Sequence, residues 1–106
     1  MKPSKVPAGL QKRGRWFWNH ATDERDFTDA HDIERLSMAC KTLDEISADE
    51  ATLKAEGRFT ADRWGRAIPH PAVKTLGENR ILFLRIVREL GLDLVTAEDP
   101  RPPRQY

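Results

Sequence analysis

An all-α chain carrying one small β-hairpin is the fold class that this sequence predicts, and three observations predict it. Residues 71–90 open on Pro71, are followed by Gly91, and set apolar groups round more than half of a helical wheel. Residues 28–56 run without glycine or proline until Gly57. Between these stretches, residues 58–68 (RFTADRWGRAI) gather Phe, Thr, Trp and Ile around a turn-prone Asp62–Gly65.

Taken in order, residues 1–8 (MKPSKVPA) form a flexible basic leader with two prolines, two lysines and little to bury. A short helix follows over residues 9–21. Leu10, Gly14, Phe17 and Ala21 share one side of it, with Trp16 and Trp18 flanking at roughly 100° either way. Residues 22–27 (TDERDF) read as a polar connector. The long helix starts at Thr28, a good N-cap, with Asp29 and Asp32 placing negative charge where the helix dipole favours it. Ile33, Leu36, Cys40, Leu43, Ser47 and Ala51 follow one face, and the helix spans about 40 Å. The hairpin comes next, then the helix over residues 71–90. Residues 93–106, with three prolines, form an extended tail. Residues 9–92 make one helical oligomerisation domain, without an internal repeat.

The last helix raises a question of cover. Leu76, Phe83, Val87 and Leu90 centre its apolar face, Val73 and Leu84 widen it on one side, and Leu82 and Ile86 widen it on the other. A helix packed on one neighbour needs a stripe only slightly wider than about 100°. This one offers roughly twice that, more than so small a chain is expected to hide. A second copy is the simplest cover, which makes Val73, Leu82, Phe83, Ile86, Val87 and Leu90 the expected oligomer interface.

Composition excludes several classes. A third of the residues are charged and the mean hydropathy is −0.67, the profile of a soluble, cytosolic-type helical protein. The longest apolar run, Ile81 to Leu84, is far short of a membrane span, and the basic N-terminus lacks the apolar stretch of a signal peptide. One cysteine excludes an internal disulfide framework and a CxxC metal site. His20, His31 and His70 fall in different elements without metal-ligand spacing, and no glycine-rich phosphate loop is present. Cys40 sits on the apolar face of the long helix, where a thiol is a poor nucleophile. No catalytic residue, metal or cofactor is expected, and the chain reads as a non-enzyme.

Charge is strongly segregated beneath an overall +1. Residues 1–20 carry five basic groups and no acid, residues 21–56 hold eleven acids against four basic groups, and residues 57–106 have nine basic and six acidic groups. The segment KRGRWFW, Lys12 to Trp18, combines phosphate-neutralising cations with aromatics able to stack on a base. With the leader it gives Lys2, Lys5, Lys12, Arg13 and Arg15 as DNA-binding candidates, joined by Arg58, Arg63 and Arg66 around the hairpin. Arg101 and Arg104 in the proline-stiffened tail are candidates for docking a partner protein.

The order of landmarks carries a resemblance. A basic leader precedes Gly14-Arg15-Trp16-Phe17-Trp18; a long helix bears Leu36-Ser37-Met38-Ala39-Cys40-Lys41-Thr42-Leu43-Asp44 and ends in Glu56-Gly57; His70-Pro71-Ala72-Val73 opens a helix finishing Leu90-Gly91-Leu92. Over most of residues 14–92 this resembles the small subunit of tailed-phage terminases, in the short helical family with an asparagine–proline motif before the last helix. His70 stands where that family has asparagine, and Pro100-Arg101 comes later after Gly-Leu than the family's proline and arginine. The resemblance implies a ring-forming homo-oligomer in the host cytoplasm. It would bind double-stranded viral DNA at the packaging-start region and regulate a large subunit holding the motor and nuclease. Two other classes fit the residues: a dimeric helical DNA-binding regulator, and a protein–protein adaptor that binds no DNA.

Overall fold

The computed structural model describes residues 6–92, so Lys2, Lys5, Arg101, Arg104 and the 93–106 tail lie outside the described residues. The described chain is mostly helical, with three helices and a two-stranded antiparallel hairpin. The order is α1 (Lys12–Glu24), α2 (Ala30–Glu56), β1 (Phe59–Ala61), β2 (Ala67–Pro69) and α3 (Pro71–Glu89). The predicted layout of helices and hairpin therefore stands, with shifts at the ends.

Helix α1 starts three residues later and ends three residues later than predicted, so part of the expected connector is helical. The rest of that connector is not purely polar either, because Phe27 is buried. The N-cap of α1, Gln11, makes no side-chain cap bond. A carboxylate from another helix substitutes: Asp44 of α2 accepts from the Gln11 N–H through Oδ2 and from the Gly14 N–H through Oδ1, each at 2.7 Å. These are donors of a helix start that have no partner within their own helix. The approach is close enough that a Cβ on Gly14 would sit 2.7 Å from the Cys40 carbonyl oxygen, so only glycine fits.

Helix α2 is capped one residue later than expected. Asp29, not Thr28, is the N-cap, and its Oδ1 accepts from the His31 N–H at 2.8 Å. Both residue types cap well, but aspartate adds a charge that the helix N-terminus favours. Gly57 ends the helix at φ 84°, as its position predicts. The buried set is Leu36, Ala39, Cys40, Thr42, Leu43, Ile46 and Leu53. Ser47 is half-buried and Ala51 exposed. α2 packs against α1 and α3, so its covered arc is broader than one stripe and drifts towards Ile46 and Leu53.

The core joins all three helices. Phe17 of α1 meets Phe83 of α3 edge-on at 5.2 Å between centroids, and Phe17, Leu36 and Cys40 are the largest side chains fully out of water. Burial of a Phe or Leu side chain such as Phe17 or Leu36 contributes about 1.5–3 kcal/mol from removal of apolar surface. Arg25 secures the remaining corner: its guanidinium lies 4.5 Å over the Phe27 ring and donates to the Leu90 carbonyl at the end of α3. Val6, placed in the flexible leader by sequence, packs against this core.

The expected oligomer interface needs correction on its own helix. Phe83, Ile86, Val87 and Leu90 are buried inside the chain, because the other helices cover the centre of the α3 wheel and its Ile86 side. Val73 is half-buried and Leu82 is 39% exposed, while Ile81 and Leu84 are the more exposed apolar groups of α3. One chain hides more of this helix than the width of the wheel suggested.

Candidate nucleic-acid interface

The basic residues of α1 and of the hairpin, far apart in sequence, are connected across α2. Gln11, Lys12, Arg13 and Trp16 of the α1 end line an open hollow with Asp44 and Ser47 of α2. Further along α2, Glu50, Leu53 and Lys54 line a second hollow of about 270 Å³ with Arg58, Leu76 and Arg80. Glu50 links the two. Its Oε1 receives Arg13 at 2.9 Å and its Oε2 receives Arg80 at 3.2 Å, so a single carboxylate spans α1, α2 and α3. The pairs are about half exposed, and such bridges contribute only about 0–1 kcal/mol each. Their effect is positional: they hold two guanidinium groups at a set separation on the surface.

The result is a row of cations, Lys12, Arg13, Arg80, Lys54 and Arg58, running from the start of α1 to the foot of the hairpin. The two acids among them are engaged: Asp44 caps α1 and Glu50 is shared by two arginines. Lys54 and Arg80 were not singled out from sequence. Lys54 lies in the segment whose net charge is acidic, and Arg80 belongs to a helix read for its apolar face; only packing sets them beside Arg13 and Arg58. Arg15 is exposed on α1, outside the residues lining either hollow.

The hairpin continues this basic track away from the helices. Phe59 pairs with Pro69, Thr60 with Ile68 and Ala61 with Ala67, and all six residues are exposed. Its turn is built on Asp62, whose Oδ1 accepts from the N–H groups of Trp64 and Arg66 at 2.9 Å, while Oδ2 receives Arg66 Nε at 3.0 Å. The Arg66 N–H foremost, with the Trp64 N–H and the Arg66 side chain, holds the Asp62 carboxyl below its usual range. Gly65 at φ 78° lets the chain reverse. Trp64 projects at the tip, 70% exposed, with the guanidinium groups of Arg63 and Arg66 at 5.3 and 5.2 Å from its ring. Both fall within cation–π range.

At the foot, His70 joins the hairpin to both long helices. Its N–H donates to the Arg58 carbonyl at 2.8 Å, its Nδ1 accepts the Ala72 N–H at 3.0 Å as the α3 N-cap, and its Nε2 lies 3.1 Å from Glu56 Oε1. Pro71 then occupies the first helical position, where its missing N–H costs nothing.

The other sequence candidates separate. Trp18 is buried in the core whereas Trp16 is 58% exposed and stacked on His20, with ring centroids 5.3 Å apart. Cys40 is fully buried, and burial first, then the nearby Asp44 charge, pushes its thiol up to about 12. Among the described residues, no cluster of three or more His, Cys, Asp or Glu side chains could hold a metal ion, and no helix is long and apolar enough to cross a membrane. Comparison of the chain with protein-family profiles, with curated proteins and with solved structures gave no match.

Proposed function

We propose that this chain is a DNA-packaging factor of the small terminase subunit type: a non-enzymatic homo-oligomer of the host cytoplasm that binds double-stranded viral DNA and presents it to a large motor–nuclease subunit. The observation that carries the reading is the row Lys12, Arg13, Arg80, Lys54 and Arg58, which leads into a hairpin bearing Arg63 and Arg66. An extended series of cations with its acids internally engaged suits a polyanion that runs past several residues, as a phosphate backbone does. The landmark order that resembles this family adds support, as does the cap at α3. The His70 ring nitrogen accepts the Ala72 N–H, a role that asparagine's side-chain oxygen fills equally well.

Self-association in this reading uses the outer side of α3. Val73, Gly77, Ile81 and Leu84 recur at helical spacing beside the buried face, and a Cβ on Gly77 would meet nothing within 4 Å. Ile81 and Leu84, both more than half exposed, give that stripe its apolar area. A head-to-tail contact through it, repeated around an axis, closes a ring, and several weak basic rows in one assembly add their affinities.

The test is binding of duplex DNA across a salt series, with native mass measured by light scattering. Wild type should bind in a salt-sensitive manner and run heavier than one chain. K54A/R80A should lower the slope of log K against log salt by about 2, because each phosphate contact contributes about 0.9. A wild-type protein without salt-sensitive DNA binding sinks the reading, and a two-chain mass moves it to a dimeric regulator.

A further inference from the structure

We propose that Trp64 is a base-contacting residue: its indole stacks on an unpaired or unstacked base while Arg63 and Arg66 engage the neighbouring phosphates. This rests on the nucleic-acid reading above and specifies what the hairpin does within it.

The fold gives Trp64 no packing role. Among the described residues it has the greatest exposure of the large hydrophobic side chains, and it belongs to a hairpin whose paired residues all face solvent. Holding so large an apolar surface in water is unfavourable, yet the local structure positions it with care. Asp62 receives the backbone N–H groups of both Trp64 and Arg66, so the indole is carried on a closed turn rather than a loose loop. The ordering cost is therefore met before any ligand arrives. The foot is equally constrained, since the Glu56–His70 contact and the His70–Arg58 backbone bond attach the hairpin to the ends of α2 and α3. The tip is thus held in a set relation to the cation row at that foot.

Charge selects the class of partner. Tryptophan and arginine are also common at the centres of protein interfaces. Here, however, Asp62 is the hairpin's one acid and is taken up by the turn, while Arg58, Arg63 and Arg66 surround the indole and its stem. The same positive charge continues along Lys54, Arg80 and Arg13. A flat π surface bracketed by guanidinium groups at the end of a cationic track matches nucleic acid, in which a π face alternates with phosphates. Base–aromatic stacking tolerates any sequence, because every base has such a face. Trp64 therefore detects local opening or distortion of the nucleic-acid duplex rather than a base sequence.

The experiment compares three probes with the full chain: a 20-base-pair duplex, the same duplex with one unpaired base, and an oligothymidylate. Wild type should favour the last two over the plain duplex. W64A should weaken binding of those two by roughly 5- to 100-fold while leaving their salt slope unchanged, and W64F should retain part of the affinity. Far-UV circular dichroism of W64A matching wild type shows that the helices are intact. If W64A binds all three probes as wild type does, the stacking role is overturned and the tip is left as a protein contact. If wild type binds none of them, the nucleic-acid reading itself has failed.

Discussion

The three-helix body and the hairpin follow opposite rules. In the body, Phe17, Leu36 and Cys40 are fully buried, and Asp44, where it approaches the core, is engaged by two backbone N–H groups. In the hairpin, every strand residue is exposed and the largest aromatic stands in water. Burial explains the residue types of the first region. It cannot explain Trp64, Arg63 and Arg66, whose turn is nevertheless closed by several hydrogen bonds. A costly, well-ordered surface feature without a packing partner directs attention to binding.

This contrast can be broken by substitution. Phe17→Ala should lose about 3–5 kcal/mol, because it opens a cavity against Phe83 at the junction of all three helices; chemical denaturation measures it. Gly14→Ala should cost about 1–3 kcal/mol, since its new methyl group meets the Cys40 carbonyl oxygen and backbone must move. Asp44→Ala should cost about 1–2 kcal/mol by freeing the donors at the start of α1, seen as early fraying of that helix in amide hydrogen exchange. Hairpin substitutions invert the pattern. Trp64→Ala should change global stability by less than about 0.5 kcal/mol while carrying the binding loss described above. Equal stability losses in both regions would abolish the distinction between them.

Two titrations sharpen the same comparison. Cys40, raised from 9.0 to about 12, should resist alkylation at pH 8 in the folded protein and react once it unfolds. Between those values the unfolded thiol releases its proton and the folded one keeps it, so the contribution to stability falls as pH rises above 9.0. Asp62 has the opposite sign. Its lowered folded value means that the turn is favoured above the ordinary 3.8 and weakens as pH falls through the folded value. The Trp64 and Arg66 amide resonances should shift there, with the helical signal unchanged. Loss of the helices in the same step would show that hairpin and body unfold together.

Much of the architecture was legible from residue order. Gly57, Pro71 and Gly91 mark helix boundaries through backbone geometry, and the Asp62–Gly65 turn is local chemistry. The site was half legible: Arg13, Arg58, Arg63 and Arg66 stand out by charge, but Lys54 and Arg80 acquire their place only beside Glu50 and the hairpin foot. The N-cap shift from Thr28 to Asp29 separates two neighbouring capping residues, a choice that composition leaves open. The α3 wheel misled more seriously. Periodicity gives the width of an apolar face, whereas the number of its neighbours depends on how the other helices pack.

By itself the sequence determined the element types, the hairpin turn and the uneven distribution of charge, because each depends on interactions within a few residues. Tertiary structure decided that Trp18 is core and Trp16 surface, that Asp44 caps a helix other than its own, and that α3 keeps Phe83, Ile86, Val87 and Leu90 within the chain. It also decided that cations from three helices and the hairpin foot form one row. These outcomes depend on distances between segments remote along the chain, which close packing sets and local pattern does not encode.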